Sequence, residues 1–261
     1  MKTLLSLLTF GLLAVTASPA SAADTRLFEM RVYYAAEGKL DALNARFRDH
    51  TLKLFTKHGM TNLGYFVPSN NTENKLVYFL AYADRSARDA SWKAFGSDPD
   101  WKAAQKASEV NGKLITKVES AFLTATDYAV LAEAKSYGKG VFELRTYTTE
   151  AGRLENLNAR FRDHTLKLFE KHGMTNMTYW NLAADQKGAK NSYVAGNTLI
   201  YLLHHESEAA AKASFDAFRA DPTWIAAKEA SEKKAGGSLT IAQPNGVKSE
   251  FLVPTDYSPV K

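Results

Sequence analysis

Two residue pairs in the chain could bind a small anionic or oxygenated molecule. Arg31 and Tyr33 are two positions apart on a predicted strand, and Arg145 and Tyr147 repeat that spacing. Side chains at i and i+2 of a strand project from the same face, so each pair presents a cation and a phenol together. The alternative is a structural pair, in which the glutamate two positions earlier neutralises the arginine.

Four histidines could act as a general base or face a haem: His50, His58, His164 and His172. At about 100° per residue, His50 and His164 fall close to the apolar stripe of their predicted helices. A histidine there could face a binding cleft or be a hydrogen-bonded core residue. His58 and His172 come in the last helical turn, where a capping role is favoured.

The sequence excludes several other kinds of chemistry. His204 and His205 are adjacent on a predicted strand and would face opposite sides, so they cannot easily share a metal. The chain has no H-E-x-x-H motif, no G-x-S-x-G motif and no glycine-rich phosphate loop. It contains no cysteine, which excludes thiol catalysis, disulfides and thiolate metal sites. No metal is predicted, and no cofactor is predicted; haem is the alternative that the histidines leave open.

The elements that must position these residues occur twice. The stretch 43–62, LNARFRDHTLKLFTKHGMTN, recurs at 157–176 with one difference, Thr56 against Glu170. Such a match indicates a tandem duplication. Each copy predicts a strand, a helix, a hairpin of two strands, a helical region and a last strand. This is the βαββαβ order of a ferredoxin-like α+β domain.

The amino terminus has the pattern of a signal peptide. Lys2, an apolar stretch over 4–15 and an A-x-A site at 20–22 predict cleavage before Ala23. The apolar stretch is shorter than the ~20 residues that a membrane-spanning helix needs. The mature protein is therefore expected to be periplasmic or secreted. The predicted boundaries are a signal peptide at 1–22, a first domain at 26–128, a linker at 129–140 and a second domain at 141–257.

The two domains are expected to cover each other. A four-stranded sheet with helices on one side leaves its other face bare, and a second sheet is its natural cover. We therefore expect two ferredoxin-like repeats that form one intramolecular α/β barrel. Along the first strand, Phe28, Met30 and Val32 are expected to pack on the helices. Arg31 and Tyr33 would then point into the space between the two sheets.

The sequence resembles the NIPSNAP family of the dimeric α/β-barrel superfamily, over nearly all of the mature chain. The residues that carry the resemblance are F-E-M-R-V-Y from Phe28, His58, Gly59, Tyr65, Asp98, Pro99 and Trp101 in the first copy, and F-E-L-R-T-Y from Phe142, His172, Gly173, Tyr179, Trp180, Asp221, Pro222 and Trp224 in the second. The resemblance implies the barrel fold. The wider superfamily includes cofactor-free monooxygenases, haem-degrading enzymes and small-ring isomerases, which use the space between sheet and helices. The first copy has Phe66 where the second has Trp180, which predicts unequal roles for the two copies.

The expected function is binding of a small aromatic or anionic molecule between the two sheets. The alternative is a cofactor-free monooxygenase or a haem-binding or haem-degrading enzyme, with catalytic candidates His50, His164, Tyr33 and Tyr147. The expected ligand-binding residues are Arg31, Tyr33, His50, His58, Tyr65, Arg145, Tyr147, His164, His172, Tyr179 and Trp180.

The charge pattern limits the possible partners. The formal net charge of +5 comes from lysines and arginines that are scattered beside acidic residues. That pattern is typical of a solvated surface, and no basic stretch with interleaved aromatics predicts nucleic-acid binding. We expect a small-molecule ligand, no nucleic acid and no membrane after signal cleavage. Association into a homo-oligomer is left open.

Overall fold

The computed structural model describes residues 24–129, 136–186 and 195–261. The predicted signal peptide, half of the predicted linker (130–135) and residues 187–194 lie outside the described residues. Within the described part of the chain, no helix is long and apolar enough to cross a membrane.

Eight strands of the described residues close into one antiparallel barrel, in the order β1-β3-β2-β8-β5-β7-β6-β4. They are β1 (Leu27–Ala35), β2 (Thr61–Pro68), β3 (Lys75–Tyr82), β4 (Ile115–Ala125), β5 (Val141–Thr148), β6 (Thr175–Leu182), β7 (Thr198–His205) and β8 (Val247–Pro254). Each half supplies four neighbouring strands, and the two halves meet where β2 pairs with β8 and β4 pairs with β6. The predicted tandem ferredoxin-like barrel is confirmed.

Helices cover the outer face of each four-stranded half. They are α1 (Leu40–Arg46), α2 (Leu52–Lys57), α3 (Arg85–Ser97) and α4 (Pro99–Ser108) in the first half, and α5 (Leu154–Arg160), α6 (Leu166–Lys171), α7 (Glu208–Ala220) and α8 (Pro222–Ala235) in the second. Asp84 and Asp98 are the N-cap residues that precede α3 and α4, and their carboxylates accept hydrogen bonds from backbone N–H groups of the first helical turns. This is ordinary N-capping, and the proline after Asp98 fits the first helical turn.

The barrel interior is a packed apolar core that both halves build. Phe79 of the first half stacks on Trp180 of the second, with ring centroids 5.2 Å apart. Phe66 and Phe142 also meet across the halves, at 5.1 Å. The cavity beside Phe66 and Trp180 has a volume of about 10 Å³, too small for an organic ligand. The expectation of a ligand between the two sheets is therefore corrected, because large side chains fill that space.

The two faces of β1 are the reverse of the prediction. Phe28, Met30 and Val32 point into the barrel core, whereas Tyr33 packs with the helix-side cluster. Both faces of this strand are covered, one by the opposite sheet and one by helices. Alternation along the strand separated the two faces correctly, but it could not say which layer each face meets.

Each half sends the residues after its last strand onto the helices of the other half. The Tyr128 hydroxyl donates to Asn158 Oδ1 at 2.9 Å, and the Tyr257 hydroxyl donates to Asn44 Oδ1 at 2.7 Å. The aspartate before each tyrosine forms an exposed ion pair with an arginine of the same helical region. We call these two segments, with Asp127 and Tyr128 after β4 and Asp256 and Tyr257 after β8, the reciprocal tails. They connect the two halves outside the barrel.

Candidate functional site

Each half contains an open cavity between the outer face of its sheet and its helices. The first cavity, about 440 Å³, is lined by Tyr33, Arg46, Phe47, Thr51, Phe55, Trp92, Phe95, Gly96, Trp101, Gln105, Glu109, Lys113, Ile115 and Val118. The second cavity, about 550 Å³, is lined by Arg145, Tyr147, Phe215, Phe218, Arg219, Trp224, Ile225, Lys228, Glu229, Glu232, Gln243 and Val247. Each wall therefore comes from one half only.

A π-helical turn shapes the wall of the first cavity. Residues Phe47–Thr51 join α1 to α2 as a π-helix, and Thr51 is buried, with its hydroxyl donating to the backbone carbonyl of Arg46 at 3.1 Å. The wider turn brings Arg46, Phe47 and Thr51 to the same cavity. The second half repeats it at Phe161–Thr165. Short π-helical turns inside α-helices occur frequently at functional sites.

The π-helical turn also explains why His50 and His164 are not where the sequence placed them. Both are exposed on the outer surface, where they line surface grooves and neither of the two cavities. The expected position was calculated at about 100° per residue, which holds for an α-helix but not across a wider turn. The expectation that His50 and His164 act as a base or a haem ligand inside a binding cleft is therefore wrong for both.

His58 and His172 connect helix ends. The Nε2 atom of His58 lies 2.6 Å from Asp98 Oδ2, and that of His172 lies 2.8 Å from Asp221 Oδ2. Each aspartate is the N-cap of the helix that follows it. These histidines therefore hold α2 against α4 and α6 against α8, and they do not line the cavities.

The Asp98 contact makes stability depend on pH. Hydrogen bonds from Lys57 and His58 hold the pKa of Asp98 well below its usual range. A carboxyl that is more acidic in the folded state stabilises the protein fully above its unfolded pKa. The stabilisation begins to decrease as the pH falls below the unfolded pKa and is gone once the pH is below the folded pKa. We expect Asp98→Asn to lower Tm at pH 7 more than at pH 3, as measured by circular dichroism. The exposed neighbour Asp100 is the control, and an equal drop at both pH values would contradict the prediction.

A buried glutamate anchors the polar groups behind the first cavity. The carboxylate of Glu29 is 0 % exposed and accepts hydrogen bonds from Arg31 at 2.5 Å, from Arg88 at 3.0 Å and from the Tyr82 hydroxyl at 3.0 Å. Burial alone would raise the pKa of Glu29, but the two arginines outweigh it and the pKa is lowered. The group therefore stays ionised at neutral pH.

Arg31 positions the phenol of Tyr33. Its Nε donates to the Tyr78 hydroxyl at 2.9 Å, and its Nη2 donates to the Tyr33 hydroxyl at 3.4 Å. The guanidinium lies over the Trp92 ring, 4.3 Å from its centroid. Burial alone would lower the pKa of Arg31, but Tyr78, Tyr33 and Glu29 outweigh it, so the pKa is raised and the cation persists. Tyr33 lines the first cavity, with Arg31 behind it.

The second half keeps the order of carboxylate, arginine and phenol, with a histidine in place of Arg88 and Tyr82 as a partner of the glutamate. Glu143 accepts from Arg145 at 2.5 Å and lies 3.0 Å from His205 Nε2. Arg145 Nη2 lies 3.5 Å from the Tyr147 hydroxyl. Among the described residues, the Arg145 Nε and the Tyr201 hydroxyl have no hydrogen-bond partner. Arg145 and Tyr147 both line the second cavity.

Sequence reasoning missed Arg46 and the tryptophans. Arg46 is 3 % exposed; its Nη1 donates to Glu109 at 3.0 Å, and its guanidinium lies over Trp101 at 5.2 Å. Its Nε has no partner among the described residues. Trp92 and Trp101 also line the cavity, although their helical spacing is that of core residues. The signal that could have found Arg46 is a charged residue on an apolar helix stripe, repeated as Arg160.

The remaining expected ligand-binding residues lie outside both cavities. Tyr65 and Tyr179 are fully buried under the helices, and their hydroxyls donate to Asn62 and Asn176. Trp180 belongs to the barrel core. Of the predicted residues, the structure therefore brings Tyr33, Arg145 and Tyr147 to cavity walls.

The chain's histidines do not fit an axial haem ligand in either cavity. All six lie in the described residues; four are accounted for above, and His204 and His205 are buried on β7. None lines the first or the second cavity. Within the described ranges, no group of three or more His, Cys, Asp or Glu side chains could hold a metal ion.

The family follows from a comparison with known protein families. The NIPSNAP family model matches residues 28–130 and 142–259, that is, most of each half. The chain belongs to the NIPSNAP family. The two matched regions of this NIPSNAP chain coincide with the two barrel halves, so each half is one NIPSNAP unit.

Two solved structures share the fold of this NIPSNAP chain, and a third is similar to it over part of its length. A proposed monooxygenase from Lactobacillus acidophilus is 13 % identical with a TM-score of 0.54, over 88 % of this chain and 94 % of that one. An anthrone oxidase-like protein is 14 % identical with a TM-score of 0.51, over 90 % and 94 %. A NIPSNAP domain protein from Burkholderia xenovorans is 29 % identical with a TM-score of 0.34, over 38 % and 94 %. No curated protein matches the chain.

Proposed function

We propose that this NIPSNAP protein binds a small, flat aromatic molecule in the first cavity. The observation that carries the proposal is an open cavity walled by aromatic rings. Its volume of about 440 Å³ falls within the range of roughly 300–1,000 Å³ that is usual for small-molecule sites. The rings are those of Tyr33, Phe47, Phe55, Trp92, Phe95 and Trp101.

Polar groups at the cavity wall favour a ligand with an oxygen substituent. The Tyr33 hydroxyl, the Arg46 guanidinium and the Glu109 carboxylate line the same space. A few polar groups in an otherwise apolar pocket set the orientation of a ligand. A phenol or an aromatic ketone could place its oxygen near Arg46 while its rings pack on Trp101. The site thus lies between sheet and helices, on the opposite side of the sheet from the space first expected.

Replacing Trp101 with leucine is expected to weaken binding of 2-naphthol about tenfold, since a well-placed aromatic pair contributes roughly 0.5–1.5 kcal/mol. Isothermal titration calorimetry measures the affinity. Trp224→Leu, the matched change in the second half, is the control and should leave the affinity of the first cavity for 2-naphthol unchanged. Failure of 2-naphthol to bind, or equal losses in both variants, would contradict the proposal. Native mass spectrometry of protein from its own host would identify a retained ligand directly.

A second candidate is oxidation of the bound molecule by dioxygen without a cofactor. The observation that favours it is a phenol and a carboxylate, Tyr33 and Glu109, at the wall of an aromatic cavity, where one could remove a proton from an activated carbon. With an anthrone, the ring CH₂ would become a carbonyl, and the second oxygen atom of O₂ would leave as water. The fold shared with an anthrone oxidase-like protein is compatible with this chemistry.

Oxygen consumption separates the two candidates. An oxygen electrode should record uptake with anthrone or a quinol if the protein is an oxygenase, and Tyr33→Phe or Glu109→Gln should reduce the rate while 2-naphthol still binds. If no oxygen is taken up with a panel of phenols, quinols and anthrones while 2-naphthol still binds, the result would favour a binding protein without turnover.

We also propose that the protein is exported after cleavage before Ala23. The support is the amino-terminal pattern of a lysine, an apolar stretch and small residues. The intact mass of protein recovered outside the cytoplasm tests this directly. A mass that includes the first 22 residues would contradict it.

A further inference from the structure

The second cavity differs from the first at matched positions of its mouth. The helices of the two halves align on their Asp-Pro-x-Trp starts, Asp98 with Asp221. In that alignment, Gly96 and Gln105 of the first cavity correspond to Arg219 and Lys228 of the second. Two uncharged positions of the first cavity are therefore cationic in the second, whereas the first cavity has a lining cation of its own elsewhere, Lys113.

The deep arginine also reaches the wall of the second cavity. Arg145 lies over Phe215 at 4.3 Å, just as Arg31 lies over Trp92. The two arginine side chains are almost equally exposed, 13 % for Arg145 and 11 % for Arg31. They differ in position, because Arg145 lines its cavity whereas Arg31 does not.

The Nε–Nη2 edge of Arg145 has unused hydrogen-bonding capacity. In the first half, the Nε of Arg31 donates to the Tyr78 hydroxyl at 2.9 Å. Tyr201 pairs with Arg145 in the same strand register, yet among the described residues its hydroxyl and the Arg145 Nε both lack partners. This edge holds only the 3.5 Å contact to Tyr147. A side-on guanidinium edge is the geometry that carboxylates bind with two hydrogen bonds.

Acidic residues also face this cavity and limit its charge. Glu229 and Glu232 line the wall beside the three cations Arg145, Arg219 and Lys228. Glu232 lies 3.9 Å from the buried Arg160, and Arg219 donates to Asp216 at 2.5 Å. The wall therefore suits a ligand with one anionic group placed deep at Arg145, and not a highly charged anion.

We propose that the second cavity is a binding site for a small organic carboxylate with an apolar body. The carboxylate accepts from the Arg145 edge, and the body packs on Phe215, Phe218 and Trp224. Arg219 and Lys228 attract the anion at the mouth. The two halves thus take different ligands, an uncharged aromatic molecule in the first cavity and a carboxylate in the second.

The test compares 2-naphthoate with 2-naphthamide, which differ in charge but hardly in shape. In Trp92→Phe/Trp101→Phe protein, two tryptophans remain. Trp180 is buried in the barrel core and gives a constant background, so a change in fluorescence when ligand is added reports Trp224 at the second cavity. We expect naphthoate to bind at least about tenfold more tightly than the amide, since hydrogen bonds to a charged group contribute roughly 1.5–3 kcal/mol. Equal affinities of acid and amide, or no binding of naphthoate, would overturn the proposal.

Phe215→Trp copies the first half, in which the arginine beside the indole does not line the cavity, and should remove Arg145 from the cavity wall. We expect it to weaken naphthoate binding about tenfold and to leave naphthamide binding little changed. The exposed change Arg219→Gly/Lys228→Gln decides the matter if the first variant does not fold. It should weaken naphthoate about tenfold at low salt and reduce the salt dependence of binding. Unchanged acid preference in folded variants would refute the assignment.

The reverse exchange is the matched control. Gly96→Arg/Gln105→Lys gives the first cavity the mouth of the second, and a Cβ at Gly96 meets no atom within 4 Å. Because the Nε of Arg31 already donates to Tyr78, this variant should gain salt-dependent attraction for naphthoate without the tenfold acid preference. A full acid preference there would show that mouth charge alone is responsible and that Arg145 is not.

Discussion

Replacing Trp180 with alanine should lower the free energy of unfolding by about 3–5 kcal/mol, the usual cost of removing a large buried aromatic side chain. Trp180 is 1 % exposed. Its ring lies 5.2 Å from Phe79 and 5.7 Å from Phe28, both of the other half. The substitution therefore leaves a void where the two sheets meet. Denaturation by urea, followed by circular dichroism, measures the loss.

Trp180→Phe is the matched control, because phenylalanine occupies the corresponding position, Phe66, of the first half. It should cost clearly less than the alanine change. Trp101→Ala, at the wall of the open first cavity, should also cost less, since solvent already reaches that side chain. A Trp180→Ala loss below about 1 kcal/mol would contradict a core shared by both halves.

Replacing Glu29 with glutamine should destabilise the protein by about 3–5 kcal/mol, because Arg31 and Arg88, whose side chains are only 11 % and 20 % exposed, lose their buried counter-charge. Arg31 and Arg88 both donate to this carboxylate. Removing one partner of a buried ion pair leaves an uncompensated charge, which costs more than the pair itself contributes. Chemical denaturation at pH 7 is the measurement.

Two controls bracket the Glu29 result. Glu143→Gln should cost less, because a single arginine, Arg145, donates to that carboxylate. Asp256→Asn, which removes an exposed ion pair with Arg48, should cost little stability, because solvent screens the two charges. A Glu29→Gln loss no larger than the Asp256→Asn loss would show that the buried cluster is not a main source of stability.

The fold could be read from the sequence because the duplication repeats every element. The near-identical stretch at 43–62 and 157–176 fixes two equivalent helical regions, and strand alternation supplies the rest. The orientation of β1, that is, which of its two faces meets the helices, could not be assigned in the same way. Phe28 and Tyr33 lie on opposite faces and are both buried, so hydrophobicity does not say which face meets the helices.

The site was harder to predict, for two physical reasons. The π-helical turn at Phe47–Thr51 moves His50 to the surface, and a constant helical period cannot anticipate it. The second reason is that a tryptophan at a cavity wall has the same sequence signature as a core tryptophan. Helical spacing therefore does not distinguish Trp92 and Trp101 from tryptophans of the core. Only the Arg-x-Tyr pairs on β1 and β5 led directly to the cavities.

The reciprocal tails explain why two unlike units share one polypeptide. Tyr128 on Asn158 and Tyr257 on Asn44 are equivalent contacts, so the docking surfaces do not distinguish a unit from its sister. Separate units could therefore pair with copies of themselves as readily as with each other. A covalent connection raises the local concentration of the sister unit and favours the mixed pair. The residues of each cavity can then change independently, because the pairing of two unlike halves does not depend on their finding each other as separate chains.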